Sequence, residues 1–238
     1  MDGEGGPFPT SCPDEIIAEG VAQAGEALYI FIEDFVPSAA GGMSVAYGLL
    51  RQAYQLATDA MFRQHRQLLD VRVFLLPQDC PRTARVVRVR AAQFASPRPW
   101  EQRLHIGQFG TVAIGGTFDH LHAGHKLMLS VALMLARAGG RLVVGVTDDG
   151  EMTARKQHRP RLETFAQRSG QVVEFLRQFS PAVAAPTVEI AKLSDPFGPT
   201  VQDASIEALV VSPETLPGAQ SSKRRASEAV DHPGASVY

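Results

Sequence analysis

Two imidazoles three residues apart, His122 and His125, open an apolar run from Leu127 to Leu135 that reads as a helix. Side chains at that spacing share one face of a first helical turn, so both rings would address the same ligand atoms. Just upstream, the short apolar run Thr111-Val112-Ala113-Ile114 leads into Gly115-Gly116-Thr117-Phe118-Asp119. Strand, glycine turn and helix start together outline an anion site. The glycines let backbone N–H groups come close to a ligand, and a helix beginning near Ala123 aims unpaired amides and a positive dipole end at the same point. The stretch matches neither G-x-G-x-x-G nor G-x-x-x-x-G-K-[ST], so neither common phosphate fingerprint accounts for it.

The elements that position this turn alternate between strand and helix. A helix over 123–138 is stopped by Gly139-Gly140, and the continuous apolar strand 141–147 after it is of the kind parallel sheets bury. Leu162, Phe165, Ala166, Ser169, Val172, Val173 and Leu176 mark one face of the next helix. A strand at 187–193, a helical turn near 204–207 and a strand at 208–212 follow. This alternation predicts a Rossmann-like parallel α/β sheet with right-handed crossovers, a fold that binds ligands outside the carboxyl ends of its strands. Those ends carry Gly115-Gly116-Thr117, Thr147-Asp148, Leu193-Ser194-Asp195 and Ser212-Pro213-Glu214-Thr215.

Ahead of this domain, strands at 28–32, 71–76 and 84–90 and a helix over 45–69 predict a small α/β accessory region with no catalytic grouping. The expected organisation is a disordered, Pro- and Gly-rich amino terminus at 1–14, the accessory region at 15–95 and a Pro-marked linker at 96–108. The α/β domain at 109–215 and an irregular polar tail at 216–238 complete it, with no further strand or helix in the tail to finish the sheet.

Composition narrows the classes. The chain of 238 residues is 45% hydrophobic and 20% charged, an ordinary globular balance. A formal net charge of −2 gives no bulk case for nucleic acid or an anionic membrane, so any anion site is local. No apolar run is long enough to span a bilayer, and the acidic start lacks the features of a secretory signal. Cys12 and Cys80, the only cysteines, make neither a disulfide framework nor a metal-spaced cluster, which suits a reducing, cytoplasmic setting. Oligomeric state is left open.

The strand, Gly-Gly-Thr-Phe-Asp and His-x-Gly-His together resemble the nucleotidyltransferase superfamily, which moves a nucleoside monophosphate from ATP or CTP onto a phosphate. Within it, Gly145-Val146-Thr147-Asp148, the helix with Arg168, Asp195-Pro196-Phe197-Gly198-Pro199-Thr200 and Val210 to Thr215 resemble the eukaryotic and archaeal type of phosphopantetheine adenylyltransferase. The resemblance covers about 110–218. It implies transfer of AMP from Mg-ATP, as substrate, to 4′-phosphopantetheine, giving dephospho-coenzyme A and pyrophosphate, with no metal held by protein ligands. It implies that His125 donates to the α-phosphate as pyrophosphate leaves, with His122 on the triphosphate beside it. Gly115, Gly116, Thr117, Phe118 and Gly124 would wall the nucleotide, with Thr117 near the attacking phosphate. Lys156, or in second place Arg155, would hold the acceptor phosphate. Ser212, Glu214 and Thr215 would lie by the nucleotide.

Relatives continue with a glycine pair, an Asn-x-x-Arg element, another strand and a serine-arginine segment that closes on the ATP phosphates. Here Gly218-Ala219 and Lys223 stand in the first two places and the sequence ends at Tyr238, so the expected domain is short of that segment. An active transferase with an altered end, a truncated product and a non-catalytic nucleotide-binding or interaction protein all stay open, as does a different nucleotidyltransferase. A zinc hydrolase is a remote alternative, because His120, His122 and His125 have the spacing of an H-x-H-x-D-H signature; Gly124 replaces its aspartate.

Overall fold

The computed structural model describes residues 12–35, 42–75, 83–95, 109–150, 161–179, 186–195, 198–212, 215–220 and 236–237. They fall into two compact units: 1–106 with His122–Leu127, and 107–121 with Met128–Tyr238. The expected linker at 96–108 lies outside the described residues. Among the described residues no helix is long and apolar enough to cross a membrane.

The first unit holds α1 (Pro13–Gln23), β1 (Ala27–Glu33), α2 (Gly42–Arg63), β2 (Asp70–Phe74) and β3 (Arg85–Arg90). Its three strands run parallel in the order β2-β1-β3. The central strand must be apolar on both faces, and Leu28 to Ile32 are all buried. The stripe Ala46, Leu49, Leu50, Ala53, Ala57 and Met61 is buried as its spacing predicts. The helix nevertheless ends at Arg63 and does not reach Leu69. His65 turns left-handed at φ 55°, its N–H donates to the Phe62 carbonyl, and the Arg66 N–H donates to that of Met61. These two bonds close a Schellman stop. The Arg66 guanidinium is thereby free of the helix and donates to the carbonyls of Val21, Ala22, Ala24 and Gly25 where α1 ends. Helix α1 itself corrects the expectation of disorder through residue 14. Pro13 occupies its first turn, and Ile17 and Val21 bury its inner face.

The second unit holds β4 (Phe109–Gly116), β5 (Ala136–Thr147), α4 (Phe165–Phe179), β6 (Thr187–Leu193), a 3-10 turn at Gly198–Val201, β7 (Ala208–Val210) and β8 (Ser236–Val237). Helix α3 (Ala123–Leu135) lies between β4 and β5 in the chain. The sheet order is β6-β5-β4-β7-β8 and every pairing is parallel, as the alternation predicts. In β5, Leu142, Val143, Val144 and Val146 are all buried. Helix α3 stops at Leu135, before the glycine pair, because pairing with β4 begins at Ala136; Gly139, at φ 68°, absorbs the irregular register before Arg141. The helical turn expected near 204–207 sits earlier, at Gly198–Val201. After position 216 the chain makes a helical turn at 216–220, and Ser236–Val237 pairs with Ala208 and Leu209. The expectation that nothing there joins the sheet is therefore overturned; a two-residue strand has no periodicity to read.

In the first unit Lys126 is only 4% exposed, and its ammonium donates to the Asp70 carboxylate and, at 2.9 Å, to the Val71 carbonyl. Burial by itself pushes the Asp70 carboxyl up, but Lys126 and Arg72 more than offset it, so it titrates below its ordinary 3.8. A depressed carboxyl stabilises the fold above its unfolded pKa and loses that contribution as pH falls through the folded one. Removing one partner of a buried pair leaves a charge stranded. Asp70→Asn is expected to cost about 2–3 kcal/mol at pH 7, the low end for such pairs because Asp70 is one-third open to water. Denaturant unfolding should show that difference at pH 7 and its shrinkage below pH 3.8.

Candidate active site

Parallel strands end along one edge of the sheet. From β4 the order runs outward through β5 and β6 on one side, and β7 and β8 lie on the other. The direction of winding therefore reverses between β4 and β7, and the loops leaving those two strands diverge to form a crevice. Gly115 and Gly116 end β4 at that crevice, and Val211-Ser212 follow β7.

The turn after β4 is built from packing. A Cβ on Gly116 would lie 3.2 Å from the ring of Phe118, which is 2% exposed. Phe118 and His120 take left-handed φ values of 53° and 45°, at a cost of about 1–2 kcal/mol each. Bonds from α4 and the segment before it offset that cost. The Glu163 N–H donates to Asp119 Oδ1 and the His120 N–H to Glu163 Oε2, both at 2.9 Å. Arg168 Nη1 donates to the Thr117 carbonyl at 2.8 Å. Sequence reasoning missed this bracing, because Asp119 and Glu163 are 44 residues apart.

Asp119, His120 and Glu163 also place one ligand atom each within 4.8 Å of one another, a spacing a cation could use. Their atoms are already engaged. His120 Nδ1 lies 2.9 Å from Asp119 Oδ2, and that hydrogen bond and charge raise the imidazole above its ordinary 6.5. Gln171 donates to the other Glu163 oxygen at 2.7 Å. The same contacts that raise the imidazole favour its protonated form, and the bonds of Asp119 and Glu163 brace the turn. The zinc alternative needs His120 to act with His122 and His125, whereas His120 is engaged with Asp119 and Glu163.

His122 and His125 share one face as their spacing predicts: the rings stack with centroids 3.8 Å apart and planes at 24°. Gly124 leaves room for the His122 ring: a Cβ there would lie 3.2 Å from His122 Cε1 and 3.3 Å from Nδ1, close enough that the ring would have to shift. The Lys126 N–H donates to the His122 carbonyl at 3.0 Å, closing the first turn of α3. Partial burial and, second, the Lys126 charge hold His122 below 6.5, so it is neutral at pH 7.

Ser212 and Thr215 bind each other. The Ser212 N–H donates to Thr215 Oγ1 at 3.1 Å, and the N–H groups of Thr215 and Leu216 return to the Ser212 carbonyl. Lys156, Arg155 and Glu214 lie outside the described residues.

Residues 113–233 match the sequence profile of the cytidylyltransferase-like family. Among the curated proteins to which this chain is similar are three phosphopantetheine adenylyltransferases. That of Methanopyrus kandleri is 42% identical over 112 residues, which is 47% of this chain and 66% of the relative. That of Pyrobaculum aerophilum is 37% identical over 47% of this chain and 67% of its own. The Saccharomyces cerevisiae protein is 39% identical over 48% of this chain and 35% of its own. The chain thus spans about two thirds of these archaeal relatives and about a third of the yeast one. With the profile matched over half its length and a parallel α/β sheet to carry it, the chain belongs to the cytidylyltransferase-like family.

Proposed function

We propose that this protein transfers AMP from Mg-ATP to 4′-phosphopantetheine, releasing pyrophosphate and forming dephospho-coenzyme A, in the cytoplasm. The observation that carries the reading is the stacked His122–His125 pair at the start of α3, directly after the glycine turn that ends β4. The similarity to three phosphopantetheine adenylyltransferases supports the choice of acceptor.

The chemistry asks for alignment and charge neutralisation, not for a covalent enzyme intermediate. An oxygen of the acceptor phosphate attacks the α-phosphorus in line with the departing pyrophosphate. Gly115 and Gly116 leave room for nucleotide and acceptor at the strand end, with Thr117 beside the attacking phosphate and Phe118 and Gly124 in the wall. His125 donates to the α-phosphate as negative charge moves onto the leaving group, and His122 faces the triphosphate. Lys156 holds the acceptor phosphate, with Arg155 second to it. Ser212, Glu214 and Thr215 lie along the nucleotide on the β7 side. The magnesium ion travels with ATP and needs no dedicated protein ligand.

The wild-type chain should release pyrophosphate when given Mg-ATP and 4′-phosphopantetheine, and much less with CTP; none with either nucleotide refutes the reading. His125→Ala should lower kcat by about 10²–10³, the loss expected of one transition-state donor, with an unchanged circular dichroism spectrum. Gly124→Ala is expected to fold at least as well, since alanine is the better helix residue. Its kcat should nonetheless fall by about three- to tenfold as the His122 ring shifts to make room for the added Cβ. In the ligand-free protein the His122 imidazole should titrate below 6.5 by NMR, and added pyrophosphate should move it upward. A midpoint at or above 6.5 without ligand would contradict the electrostatics described for this turn.

A further inference from the structure

Arg168 is wholly buried and is the largest such side chain among the described residues. A guanidinium keeps its charge at any working pH, so an interior position is costly unless every donor finds an acceptor. Here they do. Nε donates to the Glu163 carbonyl at 2.8 Å. Nη1 donates to the carbonyls of Thr117 at 2.8 Å and Thr147 at 2.9 Å, with the Thr147 hydroxyl at 3.3 Å. Nη2 meets Asp149 Oδ1 at 2.6 Å. The other Asp149 oxygen takes the Phe165 N–H at 2.9 Å, at the start of α4.

These acceptors are not scattered. Thr117 is the first residue after β4, Thr147 is the last of β5, and Glu163 and Asp149 flank the approach to α4. An apolar side chain of equal volume would fill the space at less cost in desolvation, but it could not hold three main-chain segments in one plane. The Thr117 carbonyl and the Phe118 N–H belong to the same planar trans peptide and point in opposite directions. A guanidinium that holds the carbonyl therefore fixes the direction of the Phe118 N–H as well.

The geometry points to Arg168 as a positioning residue for the transfer, one that never touches substrate but fixes the Thr117–Phe118 peptide against the end of β5 before nucleotide arrives. The inference rests on the adenylyltransferase reading of this turn. A turn shaped before substrate binds costs no reorganisation during reaction, so the effect belongs in kcat and not in substrate affinity.

The test uses the full chain and Arg168→Lys, which keeps the charge and loses the fork, at a temperature where circular dichroism shows both proteins folded. The expected result is a fall in kcat of about a hundredfold, with KM for ATP and for 4′-phosphopantetheine within about threefold of wild type. Amide hydrogen exchange should quicken at 116–119 and 147–149 while β6 stays protected. Wild-type kcat in the folded variant, or a loss that merely follows the folded fraction, overturns the inference. If Arg168→Lys does not fold, Asp149→Asn keeps all three carbonyl acceptors and, with one oxygen where there were two, weakens the bonds of Asp149 to Nη2 and to the Phe165 N–H. It should lower kcat by about three- to tenfold at constant KM, and an unchanged kcat again overturns the inference. Exchange is read without turnover: a wild-type chain that releases no pyrophosphate counts against the reaction, whereas unchanged exchange at 116–119 counts against Arg168 whatever the reaction.

Discussion

The candidate site depends on one constraint, that β4 is paired in parallel on both sides, with β5 at Val112–Leu142 and with β7 at Val112–Ala208. A strand held between parallel neighbours has no freedom to present its end elsewhere. Its last residues, Gly115 and Gly116, must emerge at the edge where β5 and β7 also end, and the reversal of strand order puts diverging loops on either side. The apolar run from Val112 to Ile114, buried throughout, is thus what delivers the glycine turn to a crevice. Burial sets the place of the turn, and the turn's own residues set its shape.

That shape is held in part by an ionic group placed where an apolar residue would be cheaper, and the other unit holds a second group of the same kind. Arg168 in one unit and Lys126 in the other are both almost fully enclosed, and both spend donors on backbone carbonyls as well as on a carboxylate. Neither pattern is explained by stability, since buried ion pairs are on balance replaceable by hydrocarbon. What they share is direction. A fork or an ammonium bonded to a carbonyl fixes the orientation of that peptide, whereas packing alone fixes only its position. Arg168 does so for the carbonyl beside the glycine turn, and Lys126 for that of Val71 at the start of β2.

Much of this was legible in the sequence wherever periodicity is strong and local. The apolar strands at 28–32 and 187–193, the stripe on α2 and the common face of His122 and His125 follow from spacing alone. The misses have physical reasons. Helix α2 ends where His65 turns left-handed, which the uninterrupted apolar stripe does not announce. The braces on the turn join Asp119 to Glu163 and Thr117 to Arg168, contacts between residues remote in sequence that no local pattern encodes. Arg168 was visible only as part of a family pattern; its role needed the burial and the three carbonyls. Strand β8 escaped because it adds two residues to an edge and carries no alternation.

The stacked histidines set a further limit on how the proposed reaction can use them. Two imidazoles with centroids 3.8 Å apart cannot both be protonated cheaply, and the adjacent Lys126 charge opposes even one proton on His122. The start of α3 already carries the positive end of the helix dipole. A polyanion arriving there would offset all three penalties together, so in the proposed reaction substrate would raise the proton affinity of His122. An imidazole charged only beside the polyanion would not have to carry that charge in the free protein. In the proposed reaction it would also confine that charge to the moment when an α-phosphate is in place, and Gly124 bears on it because a Cβ there would lie 3.2 Å from the His122 ring and make the ring shift.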